Sequence, residues 1–320
     1  MTDIDNHPLK KRYNIDIAFN EISQFYRRWF LPLFGISLVS SLLTSFMSAG
    51  IDISGLQGTT DPAEMVAAMK PMAWRYLLVA VTGLYFTIIL QYFIIVRPLS
   101  PESDLSADII KVTTRYLFPV LAVYIILSVL TMVALMLGVV ILIIGAVFAA
   151  LYAMIFFALT APVMMIENRT IGDTLSRIFT LGHRRFWTNM GFVALFTIIL
   201  LIISLILSAI VMIPFSGGFL KSILNPESAG EVTELVKRPS YLILGAISSA
   251  LTMPLFPIFS LILYFNITEG IEEEIMVESG RGENGRVTVE DLYADYKRED
   301  DTNDSRRNDA AAPSIDDLTP

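Results

Sequence analysis

The chain has 320 residues, of which 54% are hydrophobic and 17% charged, and its apolar stretches are far longer than a soluble core helix needs, which marks an integral membrane protein. It contains no cysteine and only two histidines, His7 and His183, which excludes disulfides, thiolate metal sites, cysteine nucleophiles and a multi-histidine metal centre; no cofactor is expected. The net charge of −8 is lopsided, because from Ile267 onward 16 acidic and 6 basic residues carry −10 and leave +2 for the rest of the chain.

The first 28 residues mix Asp3, Asp5, Asp16 and Glu21 with Lys10, Lys11 and Arg12, unlike a cleavable signal peptide, so the first span is expected to stay as an anchor. Within them Ile15, Phe19, Ile22 and Tyr26 recur at i, i+4, i+7 and i+11, one apolar stripe on a helix, and the segment ends in Arg27, Arg28, Trp29 and Phe30. Apolar runs over 29–49 and 76–96 then predict two spans.

The same grammar returns twice. Leu105, Ile109, Val112 and Tyr116 repeat the stripe and end in Arg115 and Tyr116. The run from Leu117 to Ile166 is 50 residues without a charge, too long for one crossing, so it folds back near Gly138 into spans over 117–136 and 140–164. Ile171, Leu175 and Ile178, with Gly182 in the fourth place, form the third stripe. Thr170 and Asp173 fit a helix cap at its start, and His183, Arg184, Arg185, Phe186 and Trp187 close it. Spans over 187–213 and 241–265 complete six.

These features predict an all-α integral membrane fold: three tandem hairpins, each preceded by a cytoplasmic-side interfacial amphipathic helix, related as parallel repeats about an axis along the membrane normal. Residues 1–266 form the membrane domain and 267–320 a mostly disordered acidic tail. With the N-terminus inside, 18 Lys and Arg fall on the inner side and 5 on the outer, which puts both termini in the cytoplasm and the protein in a cell membrane. The cations and rings of the three junctions read as lipid-headgroup anchors rather than a reactive site, with His183 lacking an evident partner for base chemistry.

The stretch PVMMIENRTIGDTLSRIFTLGHRRFWTNMGFVALF resembles a signature of bacterial six-span membrane proteins similar to the membrane domain fused to some glycerophosphodiester phosphodiesterases. Pro162, the helix over 174–181, Phe186 and Trp187 stand in the matching places, and the likeness covers about residues 14–266. The resemblance implies the six-span layout alone. The fused enzymes' catalytic barrel has no room in the tail, so no phosphodiesterase activity follows.

No span holds Asp, Glu, Lys, Arg or His in its core, which counts against ion-coupled transport. Gln91, Ser128, Thr131, Asn189, Ser204 and Ser208 are expected to bond between helices, and the small residues Gly145, Ala149 and Ala153, or Gly245, Ala246, Ser249 and Ala250, to let helices approach. Pro254 and Pro257 predict a kink or gate in the sixth span, freeing carbonyls near Ala250 and Met253. Small helical caps are expected in the outer loops, and the sequons at Asn168 and Asn266 are read as chance. In the tail, Val289, Leu292, Tyr293 and Tyr296 suggest a docking segment for a cytoplasmic partner, and the acidity argues against nucleic acid. The leading expectation is a non-enzymatic membrane-organising or envelope-support protein; the rival is a facilitator or carrier for a lipid-like or small apolar solute.

Overall fold

The structure, a computed structural model, describes residues 4–11, 13–51, 61–100, 105–140, 143–217, 234 and 236–281. Among them are nine α-helices and no strand: α1 Ile15–Arg28, α2 Phe30–Ala49, α3 Pro62–Val96, α4 Leu105–Val140, α5 Ile143–Ile166, α6 Ile171–His183, α7 Phe186–Met212, α8 Pro239–Thr252 and α9 Leu255–Arg281. Six stretches are long and apolar enough to cross a bilayer: Phe30–Ala49, Met69–Val96, Asp108–Val140, Ile144–Ile166, Phe186–Phe215 and Pro239–Ile271. The chain divides into two compact units, Met1–Glu269 and Gly270–Pro320, and the docking segment expected near Tyr293 lies outside the described residues.

Local chemistry sets several boundaries. The Asp61 carboxylate accepts from the Ala63 amide at 2.9 Å, and Pro62 takes the first helical position, so α3 starts 14 residues before the expected 76 and absorbs the proposed outer-loop cap. Thr170 accepts from the Asp173 amide at 3.4 Å and donates to its carboxylate at 2.7 Å, the expected start of α6. The two helices of the long uncharged run pack on each other, α4 ending at Val140 and α5 starting at Ile143, and their approach is tight. Gly138 makes it close: a Cβ there would sit 2.7 Å from the Gly145 backbone.

The second amphipathic segment is not a separate helix. Residues 105–116 run straight into α4, with Pro119 inside it. The sixth span, in contrast, is interrupted at Met253 and Pro254: α8 stops at Thr252 and α9 starts at Leu255, with Met253 still helical in its backbone angles. Pro257 falls in the first turn of α9, where a missing N–H breaks no helical bond. The carbonyl that finds a new partner is that of Leu251, which accepts from the Tyr26 hydroxyl at 3.0 Å.

α1 and α6 do not lie free on a surface. Tyr13 N–H donates to the Asn266 side chain at 3.0 Å and Tyr26 reaches Leu251, so α1 runs back beside the segment 251–266. Phe179 meets Phe156 at 4.6 Å between ring centroids and His183 meets Tyr152 at 2.7 Å, so α6 runs back beside α5. Each helix buries one side against protein, Ala18, Ile22 and Phe25 of α1 and Ile178, Leu181 and Gly182 of α6, while Phe19, Tyr26 and Leu175 of the expected stripes are half-buried and Ile171 is 37% exposed. The reason is that a stripe pressed on tightly packed helices gains dispersion contacts that fluid acyl chains do not give.

α2 touches α3 and α8, α4 touches α5, and α7 touches α8. The core is gathered at one end, where Leu84 to Ile95 of α3, Val112 to Leu127 of α4, Ala153 to Met164 of α5, Met190 to Phe196 of α7 and Ile258 to Ile267 of α9 supply most of the buried apolar residues. The opposite ends, Val129 to Val140 of α4 and Ile198 to Ile213 of α7, are rich in exposed large apolar side chains. Ala246 and Ala250 are fully buried on α8, the helix that packs on α2, as the small-residue spacing predicts.

Candidate functional site

The polar chemistry sits at the packed end. In the first junction Arg27 and Arg28 are exposed, the Arg28 guanidinium stands 5.9 Å from the Trp29 ring centre, and Trp29 turns its edge to Phe93 at 5.7 Å. Trp29 closes α1, and α2 begins with Pro32 in its first turn, where the missing amide costs nothing.

In the third junction Arg184 is extended and Arg185 is left-handed at φ 55°, ψ 42°, uncommon for a residue with a Cβ. The Asn189 carboxamide holds the turn by donating to the Arg184 carbonyl at 2.8 Å. Phe186 and Trp187 stack edge to face at 5.2 Å, with Trp187 74% exposed. His183 has two hydrogen-bond partners, neither of them a carboxylate. Its Nδ1 faces the Phe179 carbonyl at 2.7 Å, which can only accept, so in the neutral ring Nδ1–H donates there and Nε2 accepts from the Tyr152 hydroxyl at 2.7 Å. Both ring nitrogens are thus occupied, Nδ1 within α6 and Nε2 in fixing α6 to α5.

Glu167, just past α5, is the residue that sequence reasoning missed most plainly. Its carboxylate accepts from Arg169, from Arg177 Nε at 3.1 Å and from the Tyr264 hydroxyl at 3.2 Å, which ties α5, α6 and α9 together. No periodic or motif signal announces it, because Tyr264 lies 97 residues away in the chain.

The N-terminal segment forms a strap over the same end. His7 is 3% exposed; Leu9 N–H donates to its Nδ1 at 3.1 Å, so Nε2–H donates to the Ile94 carbonyl at 3.1 Å. Burial lowers its pKa from the ordinary 6.5, opposed by the bond to Ile94. Lys10 pairs with Asp5 and, at 3.3 Å, with Glu269. Burial raises the phenol pKa of Tyr13, assisted by the Glu21 carboxylate, and burial alone raises that of Tyr26, so both stay neutral.

The second junction differs from the others by an open cavity of about 610 Å³ where α3, the start of α4 and the end of α5 meet. Asp108, Lys111, Arg115 and Tyr116 line it from α4, Tyr92 and Ser100 from the α3 side, and Asn168 from beyond α5. Arg115 Nη2 donates to the Asn168 carboxamide at 2.6 Å and its guanidinium stands 5.4 Å from the Tyr116 ring centre. Asn168 itself is left-handed, at φ 51°. Both sequon asparagines therefore hold structural bonds, Asn168 to Arg115 and Asn266 to Tyr13.

The polar residues expected to bond between helices do not gather at one place, and Ser128 and Thr131 depart from that expectation. Gln91 and Asn189 are buried in the packed end, whereas Ser128 and Thr131 bond carbonyls of their own helix and line a separate apolar groove of about 400 Å³. Pro254 is buried beside the helix break, sealed by Tyr26. Among the described residues no group of three or more His, Asp or Glu is placed to hold a metal. Compared with known proteins, the chain matches no protein family, no curated protein and no solved structure.

Proposed function

We propose that the chain is a non-enzymatic, multi-pass protein of the cell membrane, both termini cytoplasmic, that organises or supports the envelope by gripping lipid headgroups along its inner rim. The observation that carries this is the division of labour among polar groups at the packed end. Those inside bridge helices, as in the Glu167 and His183 clusters, while Arg27, Arg28, Arg115, Arg184, Arg185 and Trp187 stay exposed beside aromatic rings. Guanidinium and indole at one level are the side chains that phosphates and the headgroup layer favour. Both ring nitrogens of His183 are taken up in packing, and the reading gives it no catalytic step.

The architecture in this reading is a ring of three hairpin units. α1 packs beside the last span, α6 beside α5, and the start of α4 shares a cavity with the end of α3, so each amphipathic segment clasps the second span of the neighbouring unit. The likeness to the membrane domain of glycerophosphodiester phosphodiesterases is part of the proposal, for layout only. The acidic tail is assigned to a cytoplasmic partner, not to nucleic acid. A facilitator for a lipid-like solute is the second reading, favoured by the apolar groove at Ser128 and Thr131.

Deletion of the gene, followed by detergent sensitivity and leaflet-resolved lipid flux, separates the two. Envelope weakness at unchanged flux supports the organising role; altered flux with an intact envelope overturns it in favour of the carrier.

A further inference from the structure

We infer that the cavity between α3, α4 and α5 is a binding site for the headgroup of a glycerophospholipid that carries a hydrogen-bond donor, an ammonium or a hydroxyl, beyond its phosphate. This deepens the headgroup-gripping reading above and rests on it.

Spacing on α4 sets the charges in line. Asp108, Lys111 and Arg115 fall at i, i+3 and i+7, so they share one face of the helix and cover about 10 Å of its length. All three line the cavity. Lys111 and Arg115 are one turn apart, the right reach for two cations to bracket one phosphate. Arg115 is already oriented for an anion. Asn168 takes one of its five N–H donors at 2.6 Å and the Tyr116 ring supports its plane, which leaves the rest of the fork to bind. Asp108 stands on the far side of Lys111 from Arg115, where a carboxylate is wrong for the phosphate and right for a donor attached beyond it.

A second, independent feature distinguishes a lipid from free phosphate. The same face continues past Arg115 into Phe118 and Ile125, which are 74% and 55% exposed. Along one stripe the helix thus presents carboxylate, ammonium, guanidinium, ring and alkyl group, the order of an amphiphile read from headgroup tip to acyl chain. Ile95, Val96, Met165 and Ile166 add an apolar wall to the cavity itself.

The test is native mass spectrometry of the full chain in mild detergent, titrated with phosphatidylethanolamine, phosphatidylglycerol, phosphatidylcholine or inorganic phosphate. We expect one of the two donor-bearing lipids to bind at about tenfold lower concentration than phosphatidylcholine. The double variant Lys111→Ala with Arg115→Ala should raise its half-saturation about tenfold, Arg115→Lys should raise it less, and Asp108→Asn should abolish the preference over phosphatidylcholine while retaining binding. Arg115→Lys, which keeps the charge, guards against a variant that fails to fold. Equal binding of all three lipids by the unaltered chain, displacement of lipid by millimolar inorganic phosphate, or wild-type binding by the double variant overturns the site. A parallel pair, Arg184→Ala with Arg185→Ala, separates the two ideas. Loss of bound lipid only in that pair sinks the cavity and spares the headgroup reading; loss in neither pair sinks both.

Discussion

The first and second junctions are spelled almost alike, Arg28-Trp-Phe-Leu-Pro32 and Arg115-Tyr-Leu-Phe-Pro119, yet the first breaks a helix and the second runs through one. Proline cannot be what decides. What differs is the tertiary partner. Trp29 has Phe93 to turn toward, and Tyr26, one turn earlier, has the Leu251 carbonyl, which is left without a helical donor by the break before Pro254. Tyr116 instead supports its own neighbour Arg115 and borders a cavity. The third junction reaches a break by another route, with Asn189 in the proline's place and a left-handed Arg185. A repeat in sequence therefore constrains where a junction falls, while the surface it meets determines whether the helix bends there.

If the partner decides, removing it at a broken junction should cost more than altering the junction's own sequence. The largest effect is expected at Glu167. Glu167→Ala leaves Arg177 and the Tyr264 hydroxyl without their shared acceptor at a site where the carboxylate is 13% exposed. Because Arg169 and Arg177 keep partial access to solvent, we expect about 2 kcal/mol rather than the full loss of a buried pair, read as a lowered thermal midpoint in detergent. Glu167→Gln, which retains an acceptor for Tyr264, should recover part of it. A change in Glu167→Ala within about 0.5 kcal/mol would show that α6 is held elsewhere.

Gly182→Ala comes next. A Cβ at that position would lie 2.7 Å from Phe156 Cε1, so the ring must move out of its contact with Phe179, for about 1 to 2 kcal/mol. Gly191 has nothing within 4 Å of the corresponding point and serves as the control, where alanine should be neutral or mildly stabilising. Equal losses at both glycines would mean that helix propensity, not the approach of α6 to α5, governs the site.

These positions mark how far the sequence was legible. Long uncharged runs located six apolar stretches, because a bilayer demands length and composition above all. The Thr170 cap and the starts of α1 and α6 were readable from residues within one helical turn. The direction of the amphipathic stripes was not: apolar periodicity says that a face is buried and is silent on whether lipid or protein covers it. Tyr152, Glu167 and His7 escaped for a related reason, since each bond joins residues 31 to 97 positions apart and no local pattern encodes such a meeting. The continuous α4 was missed because repetition suggested three equal units.

The strap sharpens the first junction's side of the contrast, since His7 bonds the residue next to Trp29's partner Phe93. Burial holds the imidazole pKa below 6.5, so the folded chain keeps it neutral where the unfolded chain takes up a proton. The sign follows. Its contribution is complete above pH 6.5 and is lost as pH falls from there toward the depressed folded value, because a proton on Nδ1 would face the Leu9 N–H that now donates to it. Hydrogen exchange at Leu9 and Lys10 should accelerate on acidification, with Lys10, Asp5 and Glu269 as the nearby charges. His7→Gln, uncharged throughout, should remove that acceleration; persistence of the pH effect in this variant would assign it to the acidic pair partners of Lys10.

The smallest effect is expected where sequence alone would look first. Pro32→Ala restores an amide to the first junction, and if proline made the break, α1 and α2 should fuse into one helix like α4, with a large rearrangement of Trp29. Control by the tertiary partner predicts otherwise. Pro32 lies in the first turn of α2, where an amide has no helical acceptor to find, and Tyr26 and Trp29 keep their contacts with Leu251 and Phe93 whatever stands at position 32. The change should be under about 0.5 kcal/mol, with Trp29 fluorescence unmoved. Adding Tyr26→Phe, which removes the hydroxyl from the Leu251 carbonyl, should then cost about 1 kcal/mol more. A blue- or red-shifted Trp29 in Pro32→Ala alone would return the decision to the local sequence.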